Sequence, residues 1–199
     1  MSRKDTHMSH TYSFFLILSL LAFGCQQDGS IGTDGVIAGL NRTDPGATLP
    51  TGGEIAVVWS VTSGSPDYSY VAGRGSLSAT GFELTLPSEM PAEAVNSYGV
   101  GVGIIAAWPE GAPADGRVSD EAEDGLQVGV IGATERHAII YVAPDASGEL
   151  EWSSEFPAGF SCGVGVDSES GFDTFEPISC DLVELRIGNL ADFDFVNWT

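Results

Sequence analysis

Ser161 stands in Gly159-Phe160-Ser161-Cys162-Gly163, the G-x-S-x-G spacing of an activated serine. That chemistry needs the serine on a sharp strand-to-helix turn, with a base to take its proton. His137, in "GATERHAIIYVA", is the one histidine after residue 24, and Glu135 lies beside it. It precedes Ser161, whereas the serine–acid–histidine order of that motif places the base afterwards. The residues following Ser161, "GVGV", read as strand and not helix. A chance match is therefore expected, with His137 opening a strand and hydrogen-bonding locally. A serine hydrolase around Ser161 and His137 stands as the catalytic alternative.

A different chemistry is suggested by two acidic turns. "DGRVSDEAED" places Asp115, Asp120, Glu121, Glu123 and Asp124 in a glycine-bearing loop, and "DSESGFD" places Asp167, Glu169 and Asp173 around Gly171. Oxygen ligands around a glycine turn suit Ca²⁺, a hard cation that takes about six to eight oxygens. Neither stretch has the spacing of a helix–loop–helix calcium loop, and solvated acidic turns are the competing reading. No second Cys or His sits at zinc-ligand spacing around His137. "GVGVG" before "IIAAWP" lacks the helix that a dinucleotide-binding turn requires.

Charge narrows the partners. Residues 1–24 hold Arg3, Lys4 and Asp5, so the rest of the 199-residue chain carries five arginines, no lysine and 27 acids, a formal −22. Such a field repels nucleic acid, whose binding depends on cations displacing condensed counterions. It also repels anionic lipid headgroups. The acids are spread along the chain, which favours solubility or a salty medium over one concentrated metal site.

The apolar run from Phe14 to Phe23 is ten residues long, about half of what spans a bilayer as helix. Arg3 and Lys4 precede it and Gly24 ends it, the plan of a secretory signal over residues 1–24. "LAFGC", Leu21 to Cys25, resembles a bacterial lipobox, in which a small residue precedes a cysteine that receives a diacylglyceryl thioether before cleavage. Ala22 and Phe23 depart from the commonest residues at their places. The resemblance implies Cys25 as the lipidated residue, a membrane held through N-terminal lipid, and an exported chain in the bacterial cell envelope. Gln26, in place of Asp, implies the outer membrane by the sorting rule of enteric bacteria. The alternative is an ordinary signal cleaved near Gly24, leaving a soluble product. Residues 25–35 follow as the lipidated Cys and a polar flexible tether, whose ten residues "QQDGSIGTDG" reach about 18 Å.

With Cys25 lipidated, Cys162 and Cys180 remain as an even pair in an oxidising compartment, and a disulfide between them is expected over two buried thiols.

The elements that must position these groups are strands. Runs at 36–40, 54–62, 82–87, 98–108, 126–133, 137–143, 160–166 and 182–187 are apolar or alternate, with weaker candidates at 68–71, 149–153 and 193–198. "GSPD", "PEGAPADG", "PDASG" and "DSESG" mark turns between them, and only "PAEAVN" (91–96) looks helical. The spacing predicts an all-β single domain over 36–199, an antiparallel β-sandwich of immunoglobulin-like or transthyretin-like topology. "GVG" recurs at 99–101, 101–103 and 163–165; the bared strand faces either take bulky neighbours such as Trp59, Trp108, Trp152 and Trp198 or receive a ligand, and packing is expected.

The order from "FELTLP" through "GVGVGIIAAW" and the acidic loop to "VIGATERHAIIYVA" resembles uncharacterised exported bacterial lipoproteins. That likeness implies fold and compartment and no activity. The expected role is non-catalytic: a membrane-tethered lipoprotein in envelope structure or in binding an extracellular protein or glycan, with a Ca²⁺-dependent adhesion module as the second reading.

Overall fold

The structure, a computed structural model, describes residues 35–61, 68–118, 129–168 and 171–188; of 167–168 and 171–173 it describes the backbone alone. The expected signal segment, Cys25, the expected tether as far as residue 34 and the strand expected at 193–198 lie outside these residues. Among the described residues no helix is long and apolar enough to cross a membrane.

The strands are β1 (Val36–Thr43), β2 (Glu54–Val61), β3 (Tyr68–Leu77), β4 (Gly81–Thr85), β5 (Val100–Trp108), β6 (Gly116–Arg117), β7 (Gly132–Ala133), β8 (His137–Val142), β9 (Gly159–Ser168), β10 (Gly171–Ile178) and β11 (Glu184–Ile187). The all-β expectation holds, but the antiparallel sandwich does not. Seven strands close on themselves in the order β5-β2-β3-β4-β1-β11-β7 and back to β5. β1 runs parallel to β11, from Leu40↔Glu184 to Thr43↔Ile187, so the barrel is mixed. Closure removes the open edges that a sandwich would leave on these strands.

Curvature comes from local devices. Ala72 and Gly73 together oppose Val57, a bulge in the β2–β3 ladder, and Gly73 holds φ +94°, where a Cβ is strained. At the β11–β7 seam a Cβ on Gly132 would stand 2.6 Å from the Arg186 carbonyl oxygen, so only glycine lets the two backbones approach.

The interior is filled. Ile37, Ile55, Val57, Trp59, Leu84, Ile105, Leu185 and Ile187 form one buried cluster drawn from β1, β2, β4, β5 and β11. Trp59 Nε1–H donates to the Ala72 carbonyl at 2.9 Å, satisfying the one polar atom of its buried indole. On the outer faces of β2 and β5, Ala56, Val58, Ile104, Ala106 and Trp108 are covered with Val118, which is why both strands read as near-continuous apolar runs.

Outside the ring, β8, β9 and β10 extend the sheet from the first half of β5. Ala138, Ile140 and Val142 of β8 and Phe175 of β10 are covered together with Phe156, which precedes β9, and Trp152 meets Phe156 edge-on at 5.8 Å. Trp152 belongs to a 3₁₀ turn, Glu151–Glu155, where a weak strand had been expected at 149–153. The helical piece at 91–96 is likewise one 3₁₀ turn, Ala92–Ala94.

One irregularity positions everything that follows. β7 and β8 are two parts of one course along β5. Between the pairs Ala106↔Ala133 and Gly103↔Ile139, two residues of β5 face five, Thr134 to Ala138. Thr134 fills the broken ladder: its N–H donates to the Ile105 carbonyl at 2.9 Å, and its Oγ1 accepts from the Ile105 N–H at 3.1 Å. Past this bulge the outer edge changes partner. β7 pairs with β11 and closes the barrel, whereas β8 pairs with β9 and leads away from it.

Candidate functional site

Where β11 and β9 diverge, the bulge forms the floor of a crevice of about 500 Å³. Glu135, Arg136 and His137 lie at the floor, Glu184 and Arg186 on the β11 wall, and Val164 to Val166 on the β9 wall. Arg42 of β1 and Glu176 of β10 complete the rim. Bulges recur beside functional sites because they re-aim side chains that a regular ladder would alternate.

The charges form a network. Arg42 and Arg186 are neighbours in the parallel β1–β11 register. Arg186 makes a two-pronged contact with Asp44, Nε to Oδ1 at 3.0 Å and Nη2 to Oδ2 at 2.9 Å, and its Nη1 reaches Glu135. Arg42 meets Glu135 at 3.4 Å and Glu184 at 3.3 Å. The bond to Arg186 holds the Asp44 carboxyl below its usual range, and the Asp44 bond in turn raises the already high pKa of the Arg186 guanidinium. Arg136 donates to the Gly165 carbonyl at 3.4 Å, and its own carbonyl accepts the Gly165 N–H at 2.7 Å, joining floor to wall.

His137 is half-buried, and its Nδ1 accepts the backbone N–H of Glu184 at 3.0 Å. It does open a strand, but its partner is 47 positions away and not local. Burial is the main cause that pushes its pKa below the ordinary 6.5, with the backbone contact to Glu184 and then the Glu184 carboxylate pulling the other way.

Ser161 does not meet it. Ser161 pairs with Ile140 and His137 with Val164, three steps along β9, so their side chains leave opposite faces of the sheet. Ser161 is fully buried in a strand interior, with no hydrogen-bond partner for its Oγ among the described residues. The strand-to-helix turn that would expose a nucleophile is not what the chain forms there.

Of the acidic-turn residues, Asp115 lies beside β6 and pairs with Arg74 Nε at 2.8 Å. Asp120, Glu121, Glu123, Asp124 and Glu169 are outside the described residues, as are the side chains of Asp167 and Asp173. Among the described residues no three His, Cys, Asp or Glu side chains gather as a metal site.

Cys162 and Cys180 form a disulfide with Cα atoms 5.2 Å apart. Cys162 belongs to β9, and Cys180 opens the 3₁₀ turn Cys180–Leu182 that leads into β11. The bond therefore ties β9 to the turn that leads into β11, the two strands that form the walls of the crevice. The bared strand faces are packed: a Cβ on Gly103 would stand 2.8 Å from the Trp59 ring, and one on Gly163 3.2 Å from Phe156.

No family model, no curated protein and no solved structure matches this chain. The crevice must be read from its own chemistry.

Sequence reasoning did not single out Arg42, Glu184 or Arg186 as a group. Their scarcity was the available signal. Only five arginines follow residue 24, and Arg42, Arg136 and Arg186 share this one cleft.

Proposed function

We propose that the chain is an exported, lipid-tethered, non-catalytic binding domain of the bacterial envelope whose contact surface is the crevice between β9 and β11. The Cys162–Cys180 disulfide carries the reading, since such bonds persist in oxidising compartments and the cytosol keeps thiols reduced. The lipobox-like "LAFGC" supplies the anchor, because two or more acyl chains hold stably while a −22 body gains nothing from anionic headgroups.

The crevice supports binding over turnover. Among the described residues its lining holds no Ser, Thr, Cys or Lys nucleophile. Glu135 and Glu184 are committed to Arg42 and Arg186, and His137 to a backbone amide. What remains is a polar surface of alternating sign, of a size that suits a small ligand or a protruding side chain. Glu176 adds a rim carboxylate.

Intact-mass analysis of the protein purified from native membranes tests the reading. A chain beginning at Cys25 with added acyl mass is expected, and Cys25→Ser should move the protein to the aqueous phase in detergent partitioning. A product still beginning at Met1 without acyl mass overturns it. For the contact surface, an envelope component retained by the wild type and lost with Arg42→Ala is expected; equal retention removes the crevice from the role.

A further inference from the structure

β11 is four residues long and completes the barrel through its parallel pairing with β1 and two residue pairs with β7. Its first amide, the N–H of Glu184, is held by a side chain: Nδ1 of His137, 3.0 Å away. An imidazole nitrogen offers that lone pair only in the neutral ring with the proton on Nε2; in the imidazolium both nitrogens are donors. Adding a proton turns the contact into two N–H groups pointed at each other in a half-buried place.

We propose that His137 is an acid-operated latch on β11: protonation of its ring releases the Glu184 amide and loosens the barrel seam together with the crevice wall that carries Glu184 and Arg186. The latch stands on the fold and holds whether or not the crevice binds a ligand.

The surroundings favour this sense of action. Glu135 and Arg136 precede His137 on its own course, β11 brings Glu184 and Arg186, β1 brings Arg42, and β10 brings Glu176. Among the described side chains, β9 contributes the uncharged Val164, Gly165 and Val166. Glu135 and Glu184 are already bridged by arginines. The ring charged in acid has no lone pair left for the amide and is driven off it. Burial keeps the folded-state pKa below 6.5, so the latch is closed at neutral pH. The unfolded chain binds the proton first, and the stabilisation is lost as pH falls below 6.5 toward the folded value.

Residue-resolved amide hydrogen exchange on the full processed chain tests the latch. Between about pH 7.5 and pH 5, protection of the Glu184 amide should fall about tenfold after correction for intrinsic exchange, the worth of one hydrogen bond. The Val58 amide in the barrel core should not change. His137→Asn places a non-titrating oxygen near the position of Nδ1 and should keep Glu184 protected at both pH values. Unchanged protection in the wild type overturns the latch. An equal fall in His137→Asn overturns it too, since the carboxylates would then be responsible. Should His137→Asn fail to fold, the wild-type ring nitrogen shifts decide: a proton on Nε2 at neutral pH is expected, and a proton on Nδ1 refutes the proposal.

Discussion

Arg42 and Arg186 stand side by side in the parallel β1–β11 register, and the carboxylate of Glu135, from the bulge between β7 and β8, bridges the two guanidinium groups. Like charges on neighbouring strands repel, so this pairing depends on an acid delivered from a third element. The same bulge that opens the crevice thereby neutralises the seam beside it.

Glu135→Gln removes the bridging charge and leaves the arginines facing each other. Each partner is more than a third exposed, so solvent screening limits the cost to about 1 kcal/mol at low salt. Urea unfolding should show that loss shrinking as salt is added. A loss independent of salt would contradict the bridge.

Asp44 offers a pH test on the same arginine. Its folded-state pKa lies below 3.8 because Arg186 donates to it. A depressed carboxylate contributes stability above the unfolded value, and that contribution is lost as pH falls through the folded one. The wild type should thus lose stability more steeply than Asp44→Asn below about pH 4, and parallel curves would show that the pair contributes nothing.

Gly103 lies directly opposite Trp59 in the β2–β5 ladder. A Cβ there would meet Val57 Cγ1 at 2.5 Å and the indole at 2.8 Å. Gly103→Val should cost about 1–3 kcal/mol by overpacking a filled core, read from chemical denaturation with Trp fluorescence. A neutral result would mean that the core has slack at this position.

Removing the disulfide as Cys162→Ala with Cys180→Ala lengthens the free loop of the unfolded chain. The sequence separation of 18 corresponds to about 3 kcal/mol on the chain-entropy model. Thermal unfolding of the double variant, beside wild type with and without reductant, should show equal losses for the variant and the reduced protein. Non-reducing peptide mass spectrometry should recover Cys162 joined to Cys180.

Much of the local structure was legible in the residues. Alternation in "FELTL" marks β4, the apolar run "EIAVVWSV" marks β2, and the recurring "GVG" faces are packed against Trp59 and Phe156. β10 was not legible. Its apolar Phe172 and Phe175 are three apart, because a register shift between Phe172 and Thr174 breaks the period of two. Pro177 also argues against a strand, although it is tolerated at the end of a sheet with one neighbour.

Strand content and charge follow from residue types and short-range periodicity, since each depends on composition or on neighbours in the chain. Barrel closure does not. It rests on β1 meeting β11 across more than 140 positions, as Arg42 meets Arg186, and on a bulge that changes one strand's partner midway. No periodicity records which edges will meet, because hydrogen bonding between backbones is blind to sequence. The crevice exists only as a consequence of that choice, and the tertiary structure alone assembled it.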